Sequence, residues 1–458
     1  MNRAFTPAQR VFRLPTTTFA RKTLTVLFTV LVGVSASFSV NLVGTLFITE
    51  IIILMAAPFL ILFSRRKLWR SGLPTIFLLL GLWLLGQVLT DIYRETARHD
   101  WMRGQANIAV FGVEIAFLVI WIGGSERLQM LFIGSYALGS LLAVRLQPSP
   151  SSSGDDWKFG YSTGAILLVV LISCYFYQRR RYVIVGILLG GLLVLNLFEN
   201  FRSPVLFLLI IMALLLPIIP ERIGRLTILR APDTAKGVIV KAAIALVAAW
   251  GALHLVHLVT AAGLLGEAAT SKNQVESQAP VGILFGGRPE IFVSCQAVMH
   301  SPLLGYGSWA KDLTYVEMLY DISREWGLPV SLDYAEEYGL GLIPTHSYLM
   351  GAWVWAGILG AVFWAYIFIL AARATFRLVL YRPPLAPVYG WFLISLMWNI
   401  LFSPFGSSSR MTVALSIVII LYLHDYEPVG HPSRPDESFF PTRGWVRHRV
   451  GRVARVPQ

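Results

Sequence analysis

The chain has 458 residues, 56% of them hydrophobic and only 14% charged, with a mean hydropathy of +0.65. An ordinary soluble chain is about a quarter charged and a little under half apolar, so this balance excludes a disordered protein, a disulfide scaffold and a conventional soluble enzyme. What remains is a polytopic membrane protein. The 38 Lys and Arg against 25 Asp and Glu give a formal net charge of +13. In a soluble protein that excess would suggest nucleic acid; here loop topology accounts for it and no nucleic-acid partner is expected.

In chain order, a basic tail (1–22) precedes a long series of apolar runs. The first run is followed almost at once by a second and lacks a small-residue cleavage site, which predicts an uncleaved first span rather than a signal peptide. Runs near the length needed to cross about 30 Å of hydrocarbon predict twelve transmembrane helices. They fall at 23–40, 43–63, 73–90, 106–122, 128–146, 161–177, 182–198, 204–219, 238–262, 346–372, 387–403 and 411–424. The runs are continuous rather than alternating, which selects helices over a closed barrel.

With the N-terminus placed inside, cytoplasmic segments collect 27 of the 38 Lys and Arg and external ones 11. The bias is strongest in the tight loops Ser64-Arg65-Arg66-Lys67 and Arg179-Arg180-Arg181, as the positive-inside rule requires. Both termini are therefore expected inside. The basic C-terminal tail (425–458) can lie against anionic lipid headgroups or extend into solvent. Cys174 sits in an apolar run and Cys295 in a polar segment, with no CxxC or metal spacing, so both read as small hydrophobes.

One segment, 263–345, is too long for a connector and carries 10 acidic and 4 basic side chains. Topology puts it outside the cell membrane, between spans 1–9 (23–262) and spans 10–12 (346–424). Amphipathic stretches around Ile291–Met299 and Leu313–Ile322 predict a small helical cap, and long ordered loops usually carry function. Nowhere is there a P-loop, a GxGxxG after a strand, an HExxH or a GxSxG.

Ionisable residues at membrane depth or at its rim are functional candidates, and three sites on the expected outer side stand out. Glu199-Asn200-Phe201-Arg202-Ser203-Pro204 is a very short turn that pins Arg202 at the mouth of the bundle. Gly286-Gly287-Arg288-Pro289-Glu290 delivers Arg288 to a helix start, and that helix ends at Pro302-Leu303-Leu304-Gly305-Tyr306-Gly307. Pro344-Thr345-His346-Ser347-Tyr348-Leu349 marks re-entry into the membrane. Read as function, the guanidiniums would hold an anionic, phosphate-bearing ligand through their planar fork and His346 would serve as a general base. Read as structure, they are a headgroup-seeking arginine, helix punctuation and an interfacial histidine.

The order Arg-Ser in a short turn, Gly-Arg-x-x-x-Phe, Pro-Leu-Leu-Gly-x-Gly and His-x-Tyr-Leu opening a span resembles the O-antigen ligase and O-antigen polymerase superfamily. The likeness covers roughly residues 190–370. It departs from the pattern at Ser347, where Asn is commoner, and after Arg288, where Arg-Pro-Glu-Ile-Phe lacks a Trp-like aromatic. The resemblance implies an all-α polytopic glycosyltransferase of the bacterial inner membrane with a periplasm-facing site. It would be inverting and would need neither a metal nor another cofactor. The donor would be a glycan on undecaprenyl diphosphate. The acceptor would be lipid A–core in a ligase or a second lipid-linked glycan in a polymerase. Carried over, Arg202 and Arg288 would bind the donor pyrophosphate and His346 would activate the acceptor hydroxyl. The cap acids (Asp312, Glu317, Asp321, Glu325, Asp333, Glu336, Glu337) read as surface charges, one of which could orient His346. The cap aromatics Trp309, Tyr315, Tyr320, Trp326, Tyr334 and Tyr338 could stack on sugars or form cap core.

The alternative is a secondary transporter of a polar or anionic solute, with Glu50, Glu114 and the His254/His257 pair as ion sites. Against it, the two halves show no matched pair of broken apolar segments. A transporter would gather polar residues at mid-membrane; the transferase would bring Arg202, Arg288 and His346 to one external cavity.

Overall fold

The computed structural model describes residues 16–41, 44–64, 68–69, 72–149, 155–217, 234–278, 288–328 and 341–426. Helices dominate. They are α1 (Thr16–Ser35), α2 (Ile48–Ser64), α3 (Leu73–Tyr93), α4 (Arg98–Trp121), α5 (Glu126–Leu146), α6 (Ser162–Gln178), α7 (Tyr182–Phe198), α8 (Arg202–Leu215) and α9 (Ala235–Ala261). After them come α10 (Glu267–Gln278), α11 (Glu290–His300), α12 (Leu313–Glu325), α13 (Tyr348–Ala356), α14 (Ile358–Tyr381), α15 (Ala386–Phe402) and α16 (Ser407–Asp425). Among the described residues seven helical segments are long and apolar enough to cross a membrane: α3, α4, α5, Trp157–Gln178, α9, α14 and α16. Five shorter apolar helices occupy the positions of the other expected spans.

The expected spans are interrupted at two places. The runs 23–40 and 43–63 do not stay helical throughout: Ser39–Asn41 (β1) and Thr45–Phe47 (β2) form a small antiparallel hairpin, with Val40 opposite Leu46. Phe38 and Ile48 close it with a backbone bond of 2.8 Å. The expected span 346–372 is broken at Gly357, whose φ of 68° lies in the left-handed region. A Cβ there would overlap the Leu303 carbonyl, so a chain crossing at this point admits only glycine.

Small residues set the helix crossings elsewhere, as expected where lipid supplies no hydrophobic drive. At the crossing of α1 and α5, a Cβ on Gly139 would strike the Val34 backbone. The centre is an aromatic cluster joining α3, α4, α13, α14 and the loop before α16. Trp364 stands 5.6 Å from Trp83, 4.9 Å from Tyr348 and 5.0 Å from Phe405. Arg410, at the start of α16, is tied by a fork to Glu50 (Nε to Oε1 2.8 Å, Nη2 to Oε2 2.9 Å) and donates to Asn107 at 2.8 Å. Glu114 lies buried beside Glu50.

The described part of 263–345 is helical, as the amphipathic stretches predict. It has its own core around Val293, Ala297, Tyr315, Val316, Leu319 and Ile343. Asp91 on α3 fastens it, accepting from Ser308 N at 2.6 Å and Ser308 Oγ at 2.8 Å. The basic tails (1–15 and 427–458), the Arg65-Arg66-Lys67 run, the Gly286-Gly287 turn, Asp333, Tyr334, Glu336, Glu337 and Tyr338 lie outside the described residues.

Candidate active site

Along α15, Trp391, Ser395, Trp398, Asn399 and Phe402 recur at helical spacing and so share one face. That face lines a cavity of about 550 Å³. Across from it stand Phe201, Ser203 and Pro204 at the start of α8, Ser162 and Thr163 in the first turn of α6, and Lys158. Arg288 and His346, which precede α11 and α13, complete the lining. Among the described lining residues there are two cations, one imidazole and no carboxylate, so the cavity suits an anion.

Each of these side chains is positioned by its backbone. Lys158 belongs to a π-helical turn, Trp157–Tyr161, started by Asp155 Oδ1 accepting from Lys158 N at 2.7 Å. Trp157 Nε1 donates to Asn196 Oδ1 at 3.1 Å, and Phe201 N donates to Asn196 O at 2.9 Å. Asn196 thus couples the Lys158 turn to the Glu199–Pro204 turn. Arg288 donates through Nη1 to the carbonyl of Phe402, one of the last carbonyls of α15 that the helix leaves open. Its guanidinium lies 5.5 Å from the Trp398 ring centre and 5.3 Å from that of Phe402, within cation–π range.

His346 lies in a non-helical stretch pinned at both ends. Ile343 N donates to Ala310 O at 2.9 Å, and Ser347 Oγ donates to Ile400 O at 2.8 Å while accepting from Met350 N at 3.1 Å. Ser347 is therefore the N-cap of α13. Ser and Asn cap equally well, so the departure from Asn keeps the cap. Burial, then the nearby Arg288 and Lys158 charges, push the His346 imidazole down from 6.5 to about 4. It is neutral at physiological pH and can accept a hydrogen bond, but with its pKa held near 4 it is a weaker base than a free imidazole. Among the described residues no carboxylate bonds to it, so the expected acidic orienter is not found there.

Of the three residues singled out from sequence, Arg288 and His346 meet in one cavity. Arg202 opens α8 immediately beside it, but its neighbours Phe201, Ser203 and Pro204 form the wall. Its Nε donates to Asn200 Oδ1 at 3.3 Å. The Pro302–Gly307 motif proves architectural. Tyr306 N and Gly307 N donate to Val354 O and Trp355 O at 2.7 and 3.0 Å, and Ile358 N donates to Leu303 O at 3.3 Å. Lys158 and the α15 face were missed in the sequence. The α15 face had a signal, a polar Asn399 at i+8 among aromatics at i, i+7 and i+11 within an apolar run; Lys158 had none.

Of the residues offered as ion sites, Glu50 and Glu114 lie together in a buried cluster with Arg410, whereas the two histidines are bonded or packed elsewhere. Glu50 is committed to Arg410. His257 pairs with Asn273 at 3.1 Å, whereas His254 is exposed and lies against Trp250. No group of three or more His, Cys, Asp or Glu able to hold a metal occurs among the described residues. Cys174 is buried and Cys295 exposed, and neither forms a disulfide. The chain matches no protein-family model and no curated protein.

Proposed function

We propose that the chain is a membrane glycosyltransferase that moves a glycan from an undecaprenyl-diphosphate donor to an acceptor hydroxyl, as an O-antigen ligase or polysaccharide polymerase does. One observation carries this reading: Arg288, Lys158 and a neutral His346 meet around a single cavity walled by the aromatic face of α15.

The chemistry follows from those groups. The acceptor oxygen attacks the anomeric carbon on the face opposite the diphosphate while His346 takes the hydroxyl proton. The anomeric C–O bond breaks, and its electron pair leaves with the lipid diphosphate. Arg288 and Lys158 stabilise the charge growing there, with Arg202 adding to the field from beside the wall. One displacement inverts the anomeric centre. Fixed cations supply the charge stabilisation, so the step calls for no metal, and no carboxylate pair of the kind used in glycoside hydrolysis is needed. A site at the periplasmic face of the inner membrane would give lipid-linked donor and acceptor access from the bilayer. The transporter reading is weaker, because Glu50 is already neutralised by Arg410.

The test follows lipid-linked glycan in membranes carrying His346→Ala or Arg288→Ala at normal expression. The donor should accumulate and its glycan should fail to reach polymer or lipid A–core. Wild-type behaviour by both variants would overturn the reading and favour transport.

A further inference from the structure

The two cations and the imidazole that line the cavity come from three separate stretches, each anchored on its own. Asp155 and Asn196 fix the π-helical turn that carries Lys158. The Phe402 carbonyl holds Arg288 ahead of α11, and the bond from Ser347 to Ile400 fixes the stretch before α13. None of the three is mounted on another, so the cations are held where they are whether or not the imidazole carries a charge.

Such a group repels a proton. Among the described lining residues no carboxylate offsets the cations. The acids nearest in sequence are placed elsewhere: Asp155 bonds the Lys158 amide, and Glu290 is buried in the first turn of α11, and neither lines the cavity. Arg202, opening α8 beside the wall, is a further positive charge. His346 is half-buried and lines the same cavity as the cations. The charges of Arg288 and Lys158 both reach its ring and, after burial, hold it near 4. A charge seated on those cations is therefore felt at the ring too. Without a ligand the site is a poor base.

We propose that the donor's diphosphate activates His346: once the anion is seated on Arg288 and Lys158, the imidazole becomes basic enough to take the acceptor's proton, so donor binding precedes acceptor activation. The diphosphate cancels the repulsion that the cations exert on an imidazolium and replaces it with attraction, while burial still favours the neutral ring. The balance returns the imidazole towards its ordinary value of about 6.5, where a general base is best matched to neutral pH. By reciprocity, the protonated chain binds the diphosphate more tightly by the same factor. The order of events rests on the transferase reading; the coupling between anion and imidazole does not.

The experiment therefore reads the coupling without turnover. Full-length protein labelled with ¹⁵N-histidine in phosphatidylcholine nanodiscs is held at about pH 5.5, between the resting and the ordinary values. The His346 signal, one of eight, is assigned by its loss in His346→Gln. Without ligand it should report a neutral ring, and saturating inorganic pyrophosphate should convert it to imidazolium. Arg288→Gln should raise the charged fraction before pyrophosphate is added. Pyrophosphate should bind about thirtyfold more tightly at pH 5 than at pH 8, the gain that linkage gives for a rise from near 4 to about 6.5. That gain is counted relative to His346→Gln, which retains only the probe's own titration. Pyrophosphate that binds without changing the ring, or a ring already charged before it is added, overturns the proposal and leaves the transferase reading standing. A charge change in a chain that transfers nothing upholds the coupling and overturns the order of events together with the transferase reading. No binding at either pH overturns both.

Discussion

Arg288 with His346, and the Pro302–Gly307 turn, belong to the same run of motifs, yet they use their polar groups in opposite directions. The turn spends everything inward. The carbonyls of Leu303, Leu304 and Gly305 accept from Ile358 N, Thr90 Oγ1 and Arg94 Nε, and its amides reach the C-terminal carbonyls of α13. It is the bolt that holds the cap against α3 and the Gly357 break. Arg288 and His346 are held by their neighbours but line a space large enough for a ligand. A motif can therefore mark a joint as readily as a site, and the bonding of its polar groups distinguishes the two.

That contrast is open to direct challenge. His346→Ala should produce the largest effect, a loss of transfer of about 10²–10⁴-fold, because it removes the proton acceptor, with a modest drop in unfolding temperature from the loss of a partly buried ring. Arg288→Ala should follow, by about 10²–10³-fold. The pH profile sharpens the same point. With the imidazole held near 4, kcat/KM should stay flat below neutrality and fall only near pH 4. An acid limb at 6.5 would show that His346 is not the base in this environment. The sign for stability agrees: a folded-state value below 6.5 means that the folded chain binds fewer protons, so His346's contribution is lost as pH falls from 6.5 towards 4.

The joint should fail differently. Gly357→Val forces a β-branched residue to a φ of 68° and into the Leu303 carbonyl. It should cost about 3 kcal/mol or more, seen as a lower unfolding temperature in detergent, with activity per folded molecule retained. A variant that kept its stability and lost its chemistry would move the turn into the site. Lys158→Ala is intermediate. Transfer should fall about tenfold, mostly through KM for the donor, since a flexible ammonium contributes less than a guanidinium fork.

Hydropathy made the helical architecture legible because every span must bury its own backbone, and the amphipathic stretches at 291–299 and 313–322 did the same for the cap. It failed where close approach decides conformation. Gly357 interrupts the 346–372 run only because Leu303 crosses there, a contact made between residues far apart in sequence. Val40 and Leu46 are apolar enough for a helix but pair as strands. Arg288 and His346 stood out as polar residues beside apolar runs. Lys158 did not, since nothing in its surroundings announces that Asn196 will draw its turn to the cavity. Trp391, Trp398 and Asn399 were hidden by sitting in an apolar run, where an aromatic face looks like core until a wall is found opposite it.

Ser347 lies on the line between joint and site, and its variant has the smallest effect of these. Ser347→Ala removes the α13 cap and the bond to Ile400 O, worth about 1 kcal/mol together with a modest drop in unfolding temperature. If the serine only caps, activity per folded molecule and the acid limb should not move. Because it also fixes the stretch that presents His346, its loss should let the imidazole reach water. The acid limb should then shift from near 4 upward towards 6.5, and turnover should fall several-fold. Ser347→Asn restores a capping side chain and should return both. A variant that lost only stability would assign Ser347 to the joint.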